Sequence, residues 1–171
     1  LAMVVCAFAV LAPVADEADA TASNTAVGPL KDKVTVAGTL GWNENNKIYT
    51  LEADTTITLK SDVTLEQVRF AGNFALTITS DSSAVKSLTV NYDFEGKTGQ
   101  NNIFAVGSLT LNNANLTIVQ KDTGRTTGPG AGEAKNSVFG DISVTVSGES
   151  VMTVTCDENS NRVFYNNNGV L

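Results

Sequence analysis

Carboxylates are the side chains through which this chain could do chemistry. Asp93 and Glu95 lie two apart, which points both to one side of a strand, and Asp157 with Glu158 sits in a turn. Paired acids of this kind can serve as a general acid and base or hold Ca2+. The alternative for both pairs is a solvated acidic loop. Neither pair recurs at a matching position in the neighbouring repeat, so no catalytic residue is assigned and Ca2+ has no specific ligand set. The chain has no histidine, which excludes Ser-His-acid and Cys-His catalysis and every His-containing zinc site. The stretch GRTTGPGAG from Gly124 is glycine-rich, yet no Lys-Ser/Thr follows it, so it is not a phosphate loop.

Binding residues are sought next. Trp42 and Tyr49 form either an aromatic platform for a sugar or a packing pair in the core or at a cap. Asp122 and Arg125 fall in the insertion KDTGRTTGPGAGEAK, residues 121–135, which is either a binding loop or a tolerated surface excursion. Asn115-Leu-Thr matches the N-glycosylation triplet, a pattern frequent by chance.

The elements that must position these residues are read from a repeat. NNIFAVGSLTLNNANLTI from Asn101, NSVFGDISVTVSGESVMTV from Asn136 and NRVFYNNNGVL from Asn161 each open on Asn-x-Ile/Val-Phe. A constant offset lays Phe104 on Phe139, Leu109 on Val144, Leu111 on Val146 and Leu116 on Val151, without a gap. Phe164 takes the same place in the third unit, and the segment around Phe70 and Leu76 is a degenerate earlier copy shifted by one residue. Apolar-Thr-apolar triplets recur along the chain, and each buries two side chains on one face and turns the Thr to the other. One such unit cannot bury its apolar face or satisfy its strand edges alone; stacking does both. The expected fold is therefore all-β, a parallel β-helix (β-solenoid) of about five or six coils. It would have a Phe column at Phe104, Phe139 and Phe164 and a corner Asn column at Asn101, Asn136 and Asn161.

Composition agrees with a strand-rich exported domain. Residues 1–20 are an apolar run ending in a small-x-small pattern and read as a secretory signal peptide whose start is missing; residues 21–33 read as a flexible N-terminus, and 34–171 as the solenoid, cut off at its C-terminus. Cys6 lies in that leader, leaving Cys156 as the single thiol, either a buried filler or an exposed link to another chain. A net charge of −7 without basic clusters argues against nucleic acid and against an anionic membrane surface.

Runs such as SLTLNNANLTI, DISVTVSGESVMTVT and NKIYTLEADTTITLKSDVTLEQV resemble the exported, adhesin-like surface proteins of microbes built as right-handed parallel β-helices of the pectate-lyase-like type. The resemblance implies a secreted or cell-surface stalk and carries over no catalytic residue. The expected function is a non-catalytic, adhesin-like module that contacts glycans or host or neighbouring surface proteins, with no membrane insertion of the mature domain. A polysaccharide lyase or glycosidase on the same scaffold is the alternative. A β-sandwich pilin or S-layer subunit is a third, which explains the constant offset less well.

Overall fold

The computed structural model describes residues 23–24, 26–82, 84–97, 101–124, 136–157 and 163–164. The leader, Arg125, Glu158, Asn161 and most of the 121–135 insertion lie outside the described residues. Within them the chain is all-β.

Three strands recur in order, one in each of three sheets. The first triplet is β4 (Ile48–Leu51), β5 (Thr55–Leu59) and β6 (Val63–Glu66); the second is β7 (Arg69–Ala71), β8 (Ala75–Ser80) and β9 (Lys86–Asp93). The third is β10 (Asn102–Ala105), β11 (Ser108–Asn112) and β12 (Ala114–Lys121), and the fourth β13 (Ser137–Phe139), β14 (Ser143–Ser147) and β15 (Met152–Cys156). Like strands pair in parallel from each triplet to the next, giving the ladders β4-β7-β10-β13, β5-β8-β11-β14 and β6-β9-β12-β15. Side-chain alternation then sends Ile57, Leu76, Leu109 and their neighbours into one continuous core and their Thr partners outward. Stacking in register also satisfies the strand edges that a lone triplet would leave open.

The aromatic column runs the length of this core. Phe70 and Phe104 are stacked at 5.1 Å between ring centroids and 3° between planes. Phe104 to Phe139 is 5.7 Å and Phe139 to Phe164 is 5.0 Å. Tyr49 continues the column below Phe70 at 5.4 Å, and Trp42 ends it 4.5 Å from Tyr49. At the corner, Asn101 Nδ2 donates to Asn136 Oδ1 at 2.9 Å, and Asn136 Nδ2 to the Lys97 carbonyl at 3.0 Å.

Three expectations need correction. The uninterrupted offset fails after Ser147: Leu116 pairs with Met152, not Val151, which stands 58% exposed. The corner beyond β14 holds one residue more, and Gly148 absorbs it at φ +63°, a conformation L side chains rarely adopt. A Cβ on Gly148 would also displace the Asn113 side chain, whose Oδ1 accepts from the Glu149 N–H.

The N-terminal side is not parallel. β1 (Ser23–Asn24) and β2 (Val34–Ala37) run antiparallel to each other, β2 is antiparallel to β5, and β3 (Leu40–Asn43) forms a hairpin with β4. A two-residue hydrophobic period has no direction, so the sequence pattern is the same for either sense. Finally, residues 26–33 are not a loose lead-in. The short 3-10 turn Gly28–Leu30 buries Leu30 completely against the end of the stack, where its N–H donates to the Tyr49 hydroxyl at 2.9 Å.

Candidate functional site

The acids are best understood from the corners, where each strand ends and backbone N–H groups must find partners. Asp54 Oδ1 accepts from the N–H of Ala75 at 2.9 Å, and Asp62 Oδ1 from that of Ser87 at 2.8 Å. Asp122 Oδ1 accepts from Gly96 at 2.8 Å, and Asp157 Oδ2 from Asp122 at 3.1 Å. In each case donor and acceptor belong to successive triplets. Asn113 and Asn115 do the same with neutral amides, accepting from Glu149 at 3.1 Å and Val151 at 2.9 Å. Short acceptor side chains at the corners thus stitch one triplet to the next.

Asp93 is the most heavily used of these. Its Oδ1 accepts from the N–H groups of Glu95 and Thr123, both at 2.9 Å, and its Oδ2 from the Thr123 hydroxyl at 2.5 Å. Burial pushes this carboxyl up. The Thr123 hydroxyl, the two backbone donors and the Lys121 charge outweigh that and hold it below the ordinary aspartate range. Gln67, in the left-handed region at φ 59°, clasps the Asp93 backbone from the preceding triplet: its Oε1 accepts from the N–H at 2.7 Å and its Nε2 donates to the carbonyl at 3.2 Å.

This corner edges a groove of about 360 Å³ on the outer face of β6, β9 and β12, lined by Glu66, Gln67, Asn91, Tyr92, Asp93, Val119 and Lys121. Glu66 is held there by Asn91 Nδ2 at 2.7 Å. The groove is open and of mixed polar and apolar lining, with one lysine beside two acids. It offers a sugar hydroxyl both donors and acceptors.

The residues singled out for binding do not assemble. Tyr49 is fully buried; its hydroxyl donates to the Val27 carbonyl at 2.6 Å and accepts from Leu30. Burial first, opposed by the Leu30 bond and aided by the Glu44 charge, pushes its phenol up to about 12. Trp42 is half-buried, with Tyr49 at its ring, the Gly28 backbone against it and the Lys47 ammonium 5.9 Å from its centroid. Its Nε1 donates to Glu44 at 2.7 Å, and Glu44 in turn pairs with Lys47. The Lys47 bond, then the Trp42 bond, draws the Glu44 carboxyl below its ordinary range. The two rings are therefore a cap and its support, the packing alternative, rather than an open sugar platform.

Asp122 is buried at a corner two triplets away, and Arg125 lies outside the described residues. Glu95 is exposed beside Gln67, 3.4 Å from its amide nitrogen. Cys156 is half-buried and its thiol donates to Gln120 Oε1 at 3.5 Å; burial, then the Asp157 charge, pushes the thiol up. Sequence reasoning missed the groove and the corner stitching, because their partners lie a whole triplet apart in the chain. The signal available was the recurrence of Asp or Asn immediately before or after the apolar-Thr-apolar runs.

Among the described residues, no three His, Cys, Asp or Glu side chains converge to hold a metal ion. No helix among them is long and apolar enough to cross a membrane. The class defined is thus an all-β protein of triplets stacked through parallel strand ladders, in which five aspartates at the corners accept backbone N–H groups from a neighbouring triplet. No protein-family model, curated protein or solved structure matches the chain.

Proposed function

We propose that this chain is a non-catalytic, adhesin-like module of right-handed parallel β-helix. It is exported, held outside the cell or at its surface, and contacts glycans or neighbouring proteins through its polar faces. The observation that carries this reading is the use made of its acids. Asp54, Asp62, Asp93, Asp122 and Asp157 all accept backbone N–H groups from another triplet. A general acid needs a proton near working pH, whereas Asp93 is held ionised. The parallel ladders and the parallel bridge from Phe139 to Phe164 support the β-helix reading. Export rests on the apolar leader of residues 1–20.

The groove at Glu66, Asp93 and Lys121 favours one second reading, a polysaccharide lyase or glycosidase. One experiment separates the two. The full chain is applied to immobilised neutral and uronic polysaccharides, and both retention and release of reducing ends or unsaturated uronides are measured. The module retains a polysaccharide without cleaving it, and Lys121→Ala weakens retention. Product release that disappears in Asp93→Asn would establish the enzyme instead; retention on none of the probes would remove the glycan arm.

A further inference from the structure

The outer face of the β5-β8-β11-β14 ladder is a two-dimensional lattice. Register places Thr56, Thr77, Thr110 and Thr145 in one column and Thr58, Thr79, Asn112 and Ser147 in the next. Each strand contributes five consecutive register pairs to its neighbour, without a bulge, although the connections between these strands differ in length. Positions on this face repeat at about 4.8 Å across strands and about 6.7 Å along them. Every one of these side chains is uncharged.

Three properties restrict what such a face can hold. Thr is stiff about χ1, and the backbone ladders fix each strand, so the array is preorganised and little ordering entropy is lost on binding. Among the described residues, the six Thr hydroxyls make no hydrogen bond to another protein group, whereas Ser147 donates to the Leu111 carbonyl at 2.9 Å. Each hydroxyl can therefore donate once and accept twice, with a methyl group beside it. Finally, the array carries no aromatic ring to stack a sugar and no charge to hold an ionic polymer.

A rigid lattice of hydroxyls and methyls matches a ligand that is itself a lattice of donors and acceptors at comparable spacing, and ordered water is that ligand. We propose that this face binds ice. The hydroxyls join the oxygen lattice, and the methyls shed their hydration shells against it. No single contact is strong; many matched positions on one rigid face act together. The outer face of β6-β9-β12-β15 provides an internal contrast. It has one Thr column, Thr64, Thr89, Thr117 and Thr153, but the adjacent column reads Glu66, Asn91, Val119 and Thr155, which is charged and irregular. This proposal goes beyond the glycan or protein contact above and uses a different face, so either can fail alone.

The test is thermal hysteresis, crystal habit and uptake into a slowly growing ice surface, measured on the full chain. The wild type should facet ice and be enriched in it. Thr77→Tyr with Thr110→Tyr, outward substitutions that strands accept, should reduce the freezing gap by about tenfold or more by breaking the multivalent match. Thr89→Tyr on the other face should change nothing, and unchanged circular dichroism should accompany all variants. Thr77→Val with Thr110→Val keeps shape and methyls, so it serves if the tyrosines disturb folding, and it too should narrow the gap. Round crystals and exclusion of the wild type from ice would overturn the proposal. Equal loss on both faces would do so as well, as would retention on crystalline chitin or cellulose with no effect on ice.

Discussion

At the scale of single residues, the corner aspartates decide how the molecule responds to acid. Asp93 has a folded-state pKa lowered from the ordinary 3.8, so it contributes stability at neutral pH. That contribution is complete above about pH 4 and is lost as pH falls from there toward the lowered folded value. Asp93→Asn should therefore be less stable at pH 7 and lose stability less steeply below pH 4, as denaturant midpoints measured across pH would report. Parallel acid limbs in the two proteins would show that the carboxylate is merely solvated, which was the bland alternative in the sequence. Nothing local to Asp93 and Glu95 distinguishes the two cases. The donor that matters, Thr123, lies in the next triplet.

At the scale of elements, the apolar-Thr-apolar runs coincide with β8, β9, β11, β12 and β14, because outward Thr and inward Leu, Ile or Val leave little room for another pattern. The equal spacing of Phe104 and Phe139 coincides with the parallel pairing of β10 and β13. Two things escaped. Turn lengths vary by a residue; the shift between Phe70 and Leu76 was legible and the one at Gly148 was not, because an offset read from one strand cannot be carried through a corner into the next. Strand direction also escaped, which hid the antiparallel β2 and β3, although packing at a cap was one of the two roles that the sequence offered for Trp42 and Tyr49. The aromatic column gives the sharpest energetic test. Phe104 is fully buried between Phe70 and Phe139, so Phe104→Ala should cost about 3 to 5 kcal/mol of unfolding free energy. An unfolding midpoint within error of the wild type would mean that the column does not support the stack.

At the scale of the whole molecule, each triplet packs mainly on its neighbours, so stability is close to a sum of triplets and the interfaces between them. The two sides of the stack differ. The first triplet is covered by β2, β3 and Leu30, and Ile57 and Leu59 are fully buried. In the fourth, Val144 and Val154 are only half-buried and Val146 is 44% exposed. Amide hydrogen exchange should accordingly be slowest in β5 and β8 and fastest in β14 and β15, a graded profile rather than a uniform one. Equal protection across all four triplets would mean that the molecule opens as one unit. The cap has one more consequence. Trp42 is the only tryptophan in the chain and sits at its covered side, on Tyr49. Tryptophan fluorescence of this protein is therefore a local gauge, lit by the closing of the cap and blind to the turns beyond it.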